Sequence, residues 1–200
     1  VSSVLPVLQA AAPHPSACVV RPVENNVALI KRHLDQGAQT ILLPQIQSRA
    51  EAEAAVSAAL YPPAGIRGVA GTMRAAGYGR IRDYTVSAND EICVLLQIES
   101  AQGLDHLEEI ATTPGVDGIF IGPSDLAASL GYPGRSGHPD VRTAVLRARL
   151  VEALALDGRI DEAWEELGGR RSADLGRPDD PDRARARAVL LALDGDPELA

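Results

Sequence analysis

The chain has 200 residues, 46% of them hydrophobic, and a formal net charge of −8. That length supports one ordinary domain with a real core, and is short of the about 250 residues of a closed (β/α)8 barrel. The acidic balance excludes a generic nucleic-acid-binding surface, and no apolar run reaches the roughly 20 residues of a membrane span, so the partners expected are small molecules rather than nucleic acid or membrane.

In chain order, residues 1–141 alternate strand and helix. Ala17–Arg21 is a short β-branched run closed by Pro22. Asn26–Asp35 carries Val27, Ile30 and Leu34 at helical spacing. Thr40–Leu43 is a second strand stopped by Pro44, and Ser48 with Glu51 three residues on forms a capping box for a helix to about Leu60. Tyr61–Asp90, rich in Gly and Pro, reads as a long loop with a short helix. Ile92–Ile98 is nearly all apolar, as in a strand buried on both faces of a parallel sheet. Ala101, Leu104, Leu107 and Ile110 mark a helix, Gly118–Ile121 a fourth buried strand and Ser124–Leu130 a short helix. Four strands with helical crossovers predict a parallel α/β architecture. No GxGxxG follows the first strand, which argues against a dinucleotide-binding domain.

The character changes near Val141. Residues 142–200 hold ten arginines and thirteen acids without a strand pattern, and helices are expected at about 141–156, 159–167 and 181–193. We read Arg183, Arg185 and Arg187 as a solvated helix face. The chain starts at Val1 without a Met, which leads us to expect residues upstream of it. Cys18 and Cys93 sit in apolar strand-like runs with no CxxC or Cys/His cluster, as expected of buried free thiols in a reducing, cytoplasmic compartment.

The residues able to do chemistry lie at strand ends. "LLQIES" and "GIFIGPSDL" each place a carboxylate just past a buried strand, at Glu99 and Asp125. In α/β barrels the reacting groups project from the C-terminal strand ends, so neighbouring strands can aim both acids at one hard cation such as Mg2+ or Mn2+. The competing readings are helix capping or dipole compensation for Asp125 and a solvated first-turn acid for Glu99. Gln97, two residues before Glu99, shares its face of the strand; otherwise it is a hydrogen-bonded core amide. Arg21 ends the first strand, where it can bind a carboxylate and neutralise a developing enolate, or form a structural ion pair. Gly122-Pro123-Ser124 opens a helix whose free N–H groups suit a carboxylate. The four histidines (His14, His33, His106, His138) end no strand and read as mostly surface groups. The single lysine, Lys31, lies on a helix, which argues against covalent imine chemistry.

Taken together, "VVRP", "GAQTILLPQIQS", "YPPAGIRGV", "QIES" and "VDGIFIGPSDLAASLGYPG" are similar in order and spacing to the HpcH/HpaI aldolase family, over roughly residues 1–141. These are class II pyruvate aldolases, 4-hydroxy-2-oxoheptane-1,7-dioate aldolase among them. The resemblance implies a (β/α)8 barrel using a divalent metal (Mg2+, Mn2+ or Co2+), with Glu99 and Asp125 as its ligands. It implies that Arg21 holds pyruvate and stabilises its enolate, and that Gln97, Ser124 (through its N–H) and Asp125 bind the substrate. Asp35 matches an acid that partners the catalytic histidine. The implied reaction is reversible aldol cleavage of a 4-hydroxy-2-oxo acid into pyruvate and an aldehyde by a homo-oligomer.

The resemblance also implies that the four strands are strands three to six of the barrel, the histidine belonging to a segment before "VVRP". Residues 142–200 depart from the family. The organisation expected is therefore a partial barrel domain at 1–141 followed by a helical, Arg/Asp-rich segment at 142–200. Two alternatives stand beside the aldolase: an inactive remnant that binds metal and 2-oxo acids or only self-associates, and an acyl-CoA lyase resembling the citrate lyase β-subunit.

Overall fold

A computed structural model describes residues 4–156. Eight α-helices and four strands are found there, in the order α1 (Val4–Ala11), β1 (Val19–Val20), α2 (Val27–Asp35), β2 (Thr40–Leu43), α3 (Arg49–Ala59), α4 (Tyr84–Glu91), β3 (Cys93–Ile98), α5 (Ala101–Asp105), α6 (Leu107–Ala111), β4 (Gly118–Ile121), α7 (Pro123–Ser129) and α8 (Pro139–Leu156). The strands form one parallel sheet in the order β1-β2-β3-β4, as the alternation of strand and helix predicts.

Local chemistry explains the boundaries. The Asn26 side chain accepts from the N–H groups of Ala28 and Leu29 and so caps α2. At α3 the Ser48 hydroxyl accepts from the Glu51 N–H at 3.3 Å, while the Glu51 carboxylate reaches the Gln47 N–H at 2.7 Å, one residue beyond the usual return contact. The predicted helix 101–110 is two short helices that meet at His106, whose backbone (φ −107°, ψ 14°) leaves helical geometry. One element escapes the sequence reading: α1, which packs Leu8 against Val20 and Ala38. The short helix expected within 61–90 is α4, which buries only Ala88.

The main core lies on one face of the sheet. Ile41 and Leu43 of β2, Val94, Leu96 and Ile98 of β3 and Ile119 of β4 pack there against Ile30, Leu34, Val56, Ile110 and Val151 of the helices. Side chains alternate across a strand, so Leu42, Leu95 and Gln97 face the other way, and all three are buried. The boundary expected at 141 falls in the first turn of α8, which continues to Leu156. Helix α8 carries Glu152, whose carboxylate accepts from the Ile119 N–H at 2.8 Å. Burial raises the Glu152 carboxyl to about 7, against the opposing pull of that hydrogen bond and of Arg149. The expected helices 159–167 and 181–193, with Arg183, Arg185 and Arg187, lie outside the described residues.

Cys18 and Cys93 are free, as expected, but half-buried rather than buried. Burial pushes the Cys93 thiol up to about 12, which keeps it an unreactive thiol. Of the histidines only His14 is exposed; His33, His106 and His138 are half-buried, against the expectation of surface groups. Among the described residues no helix is long and apolar enough to cross a membrane.

Candidate functional site

Parallel strands bring all four C-terminal ends to one rim of the sheet. Arg21 follows β1, Pro44 and Gln45 follow β2, Glu99 follows β3, and Gly122 to Asp125 follow β4. Glu99 is only 5% exposed and Gln97 only 7%, although both are polar. They share one face, as their spacing predicts, and the Gln97 amide donates to Glu99 Oε2 at 2.7 Å. The other oxygen, Oε1, accepts the backbone N–H of Gln45 at 3.0 Å.

The electrostatics of Glu99 connect three strands. Burial raises its carboxyl pKa, the Gln45 hydrogen bond opposes that rise, and the Asp125 charge adds to it. Arg21 pulls the other way. Asp125 and Arg21, from two other strand ends, thus both act on Glu99. Asp125 and Arg21 are both exposed, so the buried acid stands behind an accessible acid and an accessible cation.

Asp125 is not the capping residue of α7. Gly122 holds that position, Pro123 starts the helix, and Asp125 lies in its first turn. Ser124 lies in the same turn, where helix geometry leaves N–H groups without intrahelical acceptors.

The residues fit a divalent cation. Gln97 Oε1 is a buried acceptor with no hydrogen-bond partner, an arrangement that disfavours an apolar neighbour and suits a water or a cation's hydration shell. Among the described residues no group of three or more His, Cys, Asp or Glu gathers, and the carboxylates at the rim are those of Glu99 and Asp125. That donor set is the one Mg2+ takes, and is too poor in nitrogen and sulfur for structural zinc.

Asp35 is not brought together with the other predicted residues. It is the last residue of α2, five positions before β2 begins, and so lies at the end of the sheet opposite to Glu99. There its carboxylate accepts from the buried Arg67 Nη2 at 2.9 Å and pairs with Lys31 one helical turn back. The Lys31 ammonium is thus engaged by Asp35, consistent with the argument against imine chemistry. The Arg67 guanidinium also lies 4.3 Å over the Tyr61 ring.

Sequence reasoning missed Gln45, Gly122 as a packing residue, and Arg67. Pro44 at the close of a strand was the available signal for Gln45, since whatever follows a strand end faces the rim. Nothing in a Gly/Pro-rich loop marks Arg67 as buried.

This rim defines a class: an α/β protein with paired acids and a cation at the C-terminal strand ends. The HpcH/HpaI aldolase/citrate lyase family profile matches residues 1–160, and the chain belongs to that family. It is 57% identical over 139 residues to a hydroxypyruvate/pyruvate aldolase of Sagittula stellata, covering 70% of this chain and 55% of that protein. A pyruvate aldolase of Rhizobium etli is 55% identical over 145 residues, covering 72% of this chain and 57% of that protein. The chain thus spans about half the length of the curated relatives it matches. Among solved structures, an HpcH/HpaI aldolase/citrate lyase family protein of Burkholderia cenocepacia superposes with a TM-score of 0.70 at 40% identity, covering 94% of this chain and 69% of that one.

Proposed function

We propose that this chain is part of a metal-dependent pyruvate aldolase, its four strands corresponding to strands three to six of a (β/α)8 barrel. The reaction is reversible cleavage of a 4-hydroxy-2-oxo acid into pyruvate and an aldehyde. The observation that carries this reading is the buried Glu99 carboxylate set against Asp125 and Arg21 at the strand-end rim, with Gln97 offering an unused acceptor beside it. The identities of 57% and 55% to pyruvate-handling aldolases support the substrate class.

Glu99 and Asp125 would hold the divalent ion, Mg2+, Mn2+ or Co2+, which when bound supplies Lewis-acid polarisation of the 2-oxo group. The chain's own residues do the rest. Arg21, exposed at the rim, receives the substrate carboxylate and donates to the oxygen that becomes the enolate. The Ser124 N–H adds a second donor to that carboxylate. Gln97 holds Glu99 with its amide nitrogen and offers Oε1 to a water proton. A base takes the C4 hydroxyl proton as the C3–C4 bond breaks, the aldehyde leaves, the electron pair stays on the pyruvate enolate, and a proton returned to C3 completes pyruvate. Asp35, placed at the other end of the sheet, takes no step in this chain's own site. Assembly into homo-oligomers belongs to the same proposal, with exposed Ile66, Val69, Tyr78 and Ile81 as apolar surface for it.

A second reading, binding of metal and 2-oxo acid without turnover, is favoured by one observation: among the described residues no histidine figures in the groups acting on Glu99. A pyruvate-release assay on a 4-hydroxy-2-oxo acid, with Mg2+, Mn2+ or Co2+ added, separates the two. Metal-dependent release that Asp125→Ala abolishes is expected. Mn2+ binding without any release would contradict catalysis by this chain.

A further inference from the structure

The Glu99 carboxylate is gripped from two sides by backbone. One grip is the Gln45 N–H on Oε1, at 3.0 Å. Gln45 makes that contact with φ 55°, in the left-handed region that side-chain-bearing residues rarely adopt. Its own side chain is exposed, so packing of the side chain does not account for the conformation. The surrounding loop is fastened to β3 and α3 on either side. Ile46 N–H donates to the Gln97 carbonyl at 3.2 Å, the Gln47 side-chain amide to Ser100 Oγ at 3.0 Å, and Gln47 N–H to Glu51 at 2.7 Å.

The second grip is Gly122. Its backbone (φ −93°, ψ 91°) is open to any residue, so conformation does not demand glycine. Space does. A Cβ there would come within 2.8 Å of Gln97 Nε2, 2.9 Å of Glu99 Cβ and 3.0 Å of Glu99 Oε2. Each Glu99 oxygen thus accepts one hydrogen bond, Oε1 from Gln45 and Oε2 from Gln97, and keeps lone-pair capacity for a cation.

We propose that Gln45 and Gly122 are positioning residues that fix the Glu99 carboxylate in its ligating pose, Gln45 through its left-handed backbone N–H and Gly122 through its missing Cβ. The inference rests on the reading of Glu99 as a metal ligand. Groups behind a ligand set its orientation, and their loss weakens the metal rather than the fold.

The test is the Mn2+ dissociation constant of the full chain, read from the electron paramagnetic resonance of free Mn2+ below each variant's melting temperature. Gln45→Val opposes a positive φ, Gln45→Gly accepts it and keeps the N–H, Gly122→Ala adds the Cβ, and Glu99→Gln serves as control. Weakening by about tenfold or more is expected for Gln45→Val and Gly122→Ala, and about twofold at most for Gln45→Gly. If Gln45→Val does not fold, Gly122→Ala decides, because its backbone torsions suit alanine. Wild-type Mn2+ affinity in Gly122→Ala and Gln45→Val, with binding lost in Glu99→Gln, overturns this inference alone. Equal Mn2+ affinity in wild type and Glu99→Gln overturns the metal-site reading, and the inference with it.

Discussion

The two ends of the sheet both hold buried polar groups, and they balance charge in opposite ways. At the strand-beginning end, Asp35 accepts from Arg67 and Lys31, so one carboxylate meets two cations within the chain. At the strand-ending rim, Glu99 meets a second acid, Asp125, with the exposed Arg21 as the opposing charge. A carboxylate that finds its opposing charges inside the chain is a structural device, whereas a buried acid raised by burial and by a second acid beside it suits a cation from outside. The two clusters should therefore fail differently when cut.

The largest effect expected is on ligand binding. Removing either acid of the rim, by Glu99→Ala or Asp125→Ala, should abolish measurable Mn2+ binding in a calorimetric titration; unchanged affinity in both would erase the contrast. Next is Arg67→Ala, which strips the buried partner of Asp35 and should cost about 3–5 kcal/mol by chemical denaturation. Its Mn2+ affinity, where folded, should match wild type, and a large loss would show that the two ends are not separate.

Glu152 sharpens the comparison through pH. Its carboxyl is raised to about 7, above an ordinary carboxylate, so the folded state binds the extra proton between about pH 4.5 and 7. Stability from this group is full below that window and is lost as pH rises through it. Glu152→Gln, which can still accept from Ile119 N–H, should flatten denaturation free energy across this range and stabilise the protein at pH 8. An unchanged slope would contradict the burial account. Smallest is Lys31→Met. Its partly exposed pair with Asp35 should contribute about 0–1 kcal/mol. Borohydride with pyruvate should leave no adduct on Lys31 in a mass spectrum, and a trapped adduct would replace the metal mechanism with an imine one.

Much of this contrast is legible in the sequence, for stated reasons. Thr40–Leu43 and Gly118–Ile121 are observed at the predicted residues because short, mostly apolar runs closed by Pro44 and Gly122 leave little freedom. Two-residue periodicity put Gln97 and Glu99 on one face, and their hydrogen bond bears that out. Two features were not legible, and a third only in outline. The positive φ of Gln45 belongs to a residue with no torsional signature. A short helix was expected within 61–90, but α4 (YTVSANDE) lacks an apolar stripe, so periodicity could not place it. Arg67 sits in a glycine-rich loop that reads as exposed, yet its side chain is fully buried because Asp35 and Tyr61 receive it. Chemistry at strand ends follows from topology, whereas ion pairs between loops and helices depend on tertiary contacts that no local pattern encodes.

The most direct test of the central claim is an anomalous-difference map from crystals grown with Mn2+. One peak with oxygens of both Glu99 and Asp125 at about 2.0–2.2 Å is the result expected. A peak held by one acid alone, or located elsewhere in the molecule, would contradict it.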